Sequence, residues 1–277
     1  MRLINKRNKK NRKKGHAIVG MFLRRGWDKE SGRYINCSYS DLLSEGKLTR
    51  LLLREQDYLC CYCMRTISFK NHTTLEHVMP RKTKITDHNT ISHYLNVARF
   101  MKRYVRCTQE PPSRRVIFPP YPHYCAYENL VASCDGSICD INNNLVSYPG
   151  RLHNCCNNKR GNKVIIPLFY LRGVDEIIRY ERDGSLTYDE KYKDTIKAIN
   201  LEFGTLKTIR KAWARVCNYY TIEDVRRAMS DKTLRYEIVD DADLSVNESS
   251  FISRDDIWNV FYEYRWFFDY FRKKKRK

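Results

Sequence analysis

Apolar residues recur at helical spacing in several stretches of the chain, and these set its predicted elements. Leu48, Leu51, Leu52 and Glu55 fall on one helical face, which predicts a helix over 47–58. Ile196, Ile199, Phe203, Leu206, Ile209, Trp213 and Val216 recur every three or four residues, giving a long amphipathic helix with a break at Gly204. Ile257, Phe261, Tyr264, Phe268 and Phe271 form the stripe of a last helix. Thr221 with Asp224, and Ser253 with Asp256, match the N-cap signature in which a hydroxyl and a carboxylate three residues apart satisfy each other's backbone N–H groups. The short apolar run from Val164 to Tyr170 predicts a strand. Residues 81–124, rich in His, Arg and Pro, predict an irregular, partly exposed insertion, and Cys134 to His153 a long loop. No apolar run approaches the roughly 20 residues of a membrane helix.

Charge then divides the chain. Eight Lys or Arg and no acid lie in residues 1–14, and six more form the segment Arg272 to Lys277, so fourteen of the 52 basic residues sit at the two ends and 38 face 32 acidic ones elsewhere. Both ends are expected to be solvated tails, or arms that hold phosphates by counterion release. The resulting organisation is a basic arm and lead-in over 1–46, a central domain over 47–170 that contains the insertion, and a helical region with a basic tail over 171–277.

Eleven cysteines change the picture further, because Cys60, Cys61 and Cys63 crowd one turn and Cys155 and Cys156 are adjacent. Thiols crowded in this way converge as metal ligands do. Their odd number, without a secretory signal, fits a reducing cytoplasmic compartment. Two Cys in a Cys-x-x-Cys turn supply half of a tetrahedral zinc site, here Cys60 and Cys63. For the second pair the best candidates are Cys134 and Cys156, with Cys139 and Cys155 as substitutes. Four thiolates leave no open coordination position, so such a zinc holds the fold and performs no chemistry.

Between the cysteine clusters stands Thr74-Leu75-Glu76-His77-Val78-Met79-Pro80. On a strand a carboxylate and its neighbouring imidazole point to opposite faces unless a bend or bulge brings them toward one cleft. Taken alone, the dipeptide reads as a surface acid beside a satisfied histidine. Its company alters that reading: Cys-x-x-Cys, then Glu-His-x-x-Pro, then Asn-Leu-x-x-x-Cys, then Cys-Asn-Asn-Lys-Arg-Gly-Asn. On Cys60, Cys63, Glu76, His77, Pro80, Asn129, Leu130, Cys134, Cys156, Asn157 and Gly161 the chain resembles the HNH (ββα-metal) nuclease family.

The resemblance implies an α+β fold: a small ββα-metal core with a four-cysteine zinc site, embedded in and followed by a mostly helical region. It makes His77 the general base for the attacking water. Glu76, where the family usually has Asp or His, and Asn157 would be ligands of a catalytic Mg²⁺ or Mn²⁺, and Asn129 would orient the histidine through backbone or ring contacts. Lys159, Arg160 and Lys163 would clamp the phosphate, or form an ordinary exposed basic turn. His153 would be an accessory group or alternative ligand, and His72, His88, His93 and His123, which lack motif context, are expected to be exposed.

Residues 195–202, followed by Leu206 and Arg210, are similar to the helical continuation of PtuB-like HNH proteins, the nuclease subunits of Septu-type and some retron anti-phage systems. That similarity implies a PtuA-like ATPase partner, since no Walker-type Gly-x-x-x-x-Gly-Lys occurs in this chain, and a DNA substrate, with tRNA or other RNA as the alternative. A zinc-stapled module that binds nucleic acid or a partner without cutting is the competing expectation.

Overall fold

A computed structural model describes residues 1–35, 38–44, 46–69, 73–108, 113–137, 155–244 and 253–275. Among them the fold is mixed α+β, mostly helical, with four two-stranded sheets. The first element is helix α1, Lys9–Gly26, followed by the short antiparallel pair β1 (Trp27–Asp28) and β2 (Arg33–Tyr34). Helices α2 (Tyr39–Ser44) and α3 (Lys47–Glu55) lead into the Cys60–Cys63 turn.

The expected basic arm is therefore a correction: residues 9–26 are a helix capped by the Asn8 side chain, which accepts from the Asn11 N–H. Val19, Phe22 and Leu23 face the core, while Lys9, Lys10, Lys13 and Lys14 face outward. The glycines among them hide the pattern. Gly15 and Gly20 are both buried contact points, and a Cβ at Gly15 would collide with the Tyr127 ring. Even before the helix, Met1, Ile4 and Lys6 are buried, and the Ile4 N–H donates to the Phe169 carbonyl at 2.8 Å.

Strand β3, Thr73–His77, opens the central part, and helix α4, His88–Val97, lies in the region read as irregular. Strands β4 (Val105–Arg106) and β5 (Tyr121–Pro122) pair in parallel there. Tyr94, Met101, Tyr121 and His123 are buried, so this segment is a packed part of the molecule. Strand β6, Leu130–Cys134, pairs antiparallel with β3, with Glu76 opposite Val131 and His77 opposite Leu130. Residues 135–137 leave β6, and the expected loop beyond them lies outside the described residues until Cys155, after which α5, Cys156–Arg160, begins.

Residues 164–170 form no strand; Leu168–Tyr170 is a single 3₁₀ turn. Pro167 explains this, because it lacks the N–H that a strand ladder needs. Helix α6 (Val174–Ile177) and the hairpin β7 (Ile178–Tyr180) and β8 (Leu186–Tyr188) precede α7, Lys193–Ile199, and α8, Gly204–Val216. The predicted break is present, with Asn200 in the left-handed conformation as the cap of α7. Helices α9 (Ile222–Arg227), α10 (Lys232–Asp241), α11 (Arg254–Glu263) and α12 (Trp266–Lys275) complete the chain. Both expected capping boxes form, at Thr221/Asp224 and Ser253/Asp256. The last predicted helix is two, α11 and α12, divided at Tyr264–Arg265, and all five residues of its stripe are buried.

The helical region does not stand apart from the cysteine-bearing part. Trp213 stacks on Phe261 with ring centroids 3.9 Å apart and donates its indole N–H to the Phe261 carbonyl. The end of α11 then meets the turn after Cys63: Thr66 N–H donates to Glu263 O at 2.6 Å, and Arg65 pairs with the Glu263 carboxylate at 2.6 Å.

Candidate metal centre and active site

The Cys-x-x-Cys turn leaves α3 with Tyr58 and Met64 in left-handed conformations, and the Cys60 N–H bonds to the Arg65 carbonyl at 2.8 Å. This tight return directs Cys60 and Cys63 to the same side. Cys134 ends β6 and Cys156 opens α5, so sheet and helix bring the other two sulfurs. The ligand atoms of Cys60, Cys63, Cys134 and Cys156 all lie within 4.8 Å of one another, and all four residues are buried. Gly136 lets this happen: it adopts φ +75°, and a Cβ there would strike the Cys155 carbonyl, which carries the entry to α5.

Four soft donors at mutual contact fit Zn²⁺. Burial holds the Cys63 and Cys156 thiols well above their usual range, so in the metal-free chain they stay protonated, and a bound cation is what makes four buried thiolates tenable. Cys60 accepts N–H bonds from Tyr62 and Cys134 as a ligand sulfur does. Cys155, the substitute ligand, is also buried, with its sulfur 3.6 Å from that of Cys156. Cys139, His72 and His153 lie outside the described residues.

Strands β3 and β6 pair beside this cluster and α5 packs against β6, with α4, β4 and β5 lying between the two strands in the chain. The regular alternation of β3 divides its side chains. Thr74 and Glu76 face α5, where the Asn157 side-chain amide donates to Thr74 Oγ1 at 2.8 Å. Glu76 pairs with the buried guanidinium of Arg160 and accepts from the Tyr62 hydroxyl at 3.1 Å. Arg160 also donates to the carbonyls of His77 and Val78, both at 2.7 Å, and reaches the hydroxyl of Tyr94 at 3.1 Å. Burial pushes the Glu76 carboxyl up, and Arg160 with Tyr62 opposes that push.

One sequence-based role is corrected by these contacts. Arg160 is 1% exposed, so it is an internal counter-ion and no clamp for external phosphate; Lys159 and Lys163, its neighbours in the motif, are exposed. Glu76 meets Arg160 and Tyr62 through Oε1, and Asn157 bonds Thr74 through its amide nitrogen, so these contacts engage neither Glu76 Oε2 nor Asn157 Oδ1. Among the described residues the four cysteines are the one cluster of three or more potential ligands drawn from His, Cys, Asp and Glu.

His77 stands on the other face, apart from Glu76 and Asn157. Its Nε2 lies 3.0 Å from the Tyr124 carbonyl and its ring packs on Tyr39, centroids 4.4 Å apart. A carbonyl only accepts, so Nε2 carries the proton and Nδ1 keeps its lone pair. Burial lowers the pKa of His77 to about 4, with the nearby His123, Arg81 and Arg160 acting in the same direction, so the ring is neutral at pH 7. The side chain of Asn129 fixes the following loop: it accepts from Met79 N–H at 2.7 Å and donates to the carbonyls of Met79 and His123 at 3.0 and 2.8 Å. These side-chain contacts are to the backbone of Met79 and His123.

His123, expected to be exposed, is fully buried. Its Nδ1 accepts from the Thr108 N–H and its Nε2 donates to the Arg81 carbonyl at 3.0 Å, tying the insertion to the loop after His77. His93 is half-buried with Nε2 3.1 Å from Ile165 O, whereas His88 is exposed as expected. Sequence reasoning missed Tyr39, Tyr62, Tyr94 and Tyr124; only Tyr62, inside the Cys-x-x-Cys turn, lay where a motif could have pointed to it. Comparison of the chain with protein-family models, curated proteins and solved structures finds no match.

Proposed function

We propose that this protein is a zinc-stapled nuclease of the HNH type that hydrolyses phosphodiester bonds in nucleic acid, with His77 as general base. The observation that carries the reading is the Nε2–H bond of His77 to the Tyr124 carbonyl, in a site where burial keeps the ring neutral. The fixed tautomer leaves on Nδ1 the lone pair that can accept a proton. Water gives its proton to Nδ1 as its oxygen attacks phosphorus. The bond to the 3′ oxygen breaks and that oxygen takes a proton from solvent, which leaves 5′-phosphate and 3′-hydroxyl ends.

Zinc at the four cysteines is scaffolding in this reading. Mg²⁺ or Mn²⁺, the cofactor that the family resemblance implies, would stabilise charge on the phosphate when bound, and Arg160 already holds one oxygen of Glu76, which that resemblance would make its ligand together with Asn157. DNA is the favoured substrate, with RNA, tRNA included, as the alternative, and a PtuA-like ATPase in an anti-phage setting is the proposed partner. A second reading, a module that binds nucleic acid or a partner without cutting, draws support from His77 being only 9% exposed. The test is incubation of the purified protein, alone and with its genomic neighbours, with plasmid, single-stranded DNA and tRNA in Mg²⁺ or Mn²⁺. New 5′-phosphate ends support hydrolysis; binding without cleavage of any of them supports the second reading.

A further inference from the structure

We infer that the groove between α1 and α3 is a seat for the phosphate backbone of nucleic acid. The inference rests on the proposed substrate class and adds where that substrate is held. The groove has a volume of about 520 Å³ and is lined by Lys14 from α1 and Lys47, Arg50 and Arg54 from α3, above a floor that includes Leu51. All four cations are exposed, and none forms an ion pair with a described residue. Lys47, Arg50 and Arg54 recur at helical spacing along one side of α3, and Lys10 stands one turn before Lys14 on α1.

Glu55 is the one acid in the lining, and it is already committed. One of its oxygens pairs with Lys6 at 2.6 Å and the other accepts from the Tyr127 hydroxyl. Lys6 is buried and its ammonium sits 4.0 Å from the centre of the Tyr127 ring. The groove therefore keeps an excess of four positive charges.

The same contacts make the groove rigid. Gly15 brings α1 against Tyr127, and the Lys6–Glu55 pair ties the segment before α1 to the end of α3. Like charges held together on fixed helices repel one another, and a polyanion relieves that repulsion while releasing its own counterions. A continuous run of phosphates matches two facing rows of cations, whereas a single small anion would engage one or two.

The test measures binding of the full chain to a labelled 20-base-pair duplex across a salt series, with Lys14→Gln/Arg50→Gln/Arg54→Gln against a charge-matched control, Lys207→Gln/Lys211→Gln/Arg226→Gln. The control residues are exposed and lie on α8 and α9. Each phosphate left without its cation flattens the slope of log affinity against log salt by about 0.9, so the groove variant should fall by about 2 to 3 in slope and roughly 10²-fold in affinity at 100 mM salt. The control should change the slope by less than about 1. A second variant, Lys14→Gln/Arg54→Gln, spares Arg50, which also packs over the Phe69 ring at 4.2 Å, and should fall by about 2 in slope.

Equal losses in groove and control variants, or none in either, would overturn the inference. Tight, groove-dependent binding by a protein that cuts nothing would sink the hydrolytic reading alone. Cleavage that persists with binding unchanged in the groove variants would sink the groove alone.

Discussion

On one face of β3 the Glu76 carboxylate meets a guanidinium and a phenol, while on the other, a single residue along, the His77 imidazole meets a carbonyl and an aromatic ring. The first environment compensates a charge and fixes it. The second holds a group uncharged and leaves one nitrogen able to take a proton. Adjacent titratable residues in one motif thus meet opposite environments through strand alternation.

The most drastic way to break this contrast is to remove what supports both faces. Cys134 ends the strand that pairs with β3, and Cys156 opens the helix that delivers Arg160. Structural zinc contributes on the order of 10 kcal/mol to such sites. Cys63→Ser, or stripping with a strong chelator, is expected to abolish cooperative thermal unfolding, and elemental analysis of the native protein should give one zinc per chain.

A next smaller effect isolates the Glu76 face. Arg160→Met leaves a buried carboxylate without its partner and should cost about 3–5 kcal/mol in denaturant unfolding. Adding Glu76→Gln should recover much of that loss. If Glu76 served instead as a ligand of a divalent ion, Arg160→Met would raise the affinity for Mn²⁺ and that ion would restore stability.

The His77 face is isolated by pH. The ring has a pKa of about 4 in the folded chain against an ordinary value of 6.5, so between these values the unfolded chain binds more protons. Its contribution to stability is complete above pH 6.5 and is lost as pH falls toward 4, by up to about 3 kcal/mol. The difference in stability between the wild-type protein and His77→Gln should therefore shrink across that window, in denaturant melts at successive pH values.

The smallest expected effect lies away from both faces. Gly15→Ala drives a methyl group into the Tyr127 ring and should cost about 1–3 kcal/mol by overpacking. It should weaken nucleic-acid binding through the displaced α1 while the pH window of His77 stays in place.

The parts of the fold that were legible in the sequence are those in which residue type and spacing carry the physics. The Cys60 and Cys63 half of the four-cysteine cluster follows from thiol chemistry and close spacing, with Cys134 and Cys156 as the best candidates for the other half, and the capping boxes follow from one hydroxyl and one carboxylate three residues apart. The break between α7 and α8 was visible because the stripe crosses Gly204. What escaped was set by partners distant in sequence. Arg160 is 84 residues from Glu76, and nothing in its exposed-looking motif says that it turns inward. Tyr124, which fixes the His77 tautomer, is 47 residues away in a segment whose prolines suggested irregular chain. In α1 a basic run conceals an amphipathic helix whose buried face uses glycine at Gly15 and Gly20, where a hydrophobicity pattern registers nothing.

The central claim is that His77 is prepared for proton transfer, and it is tested most directly by measuring cleavage and binding of the same labelled nucleic acid by wild-type protein and His77→Ala. The account predicts that the variant loses cleavage by at least about 10²-fold and retains the wild-type dissociation constant. Undiminished cleavage by a folded His77→Ala protein would contradict it.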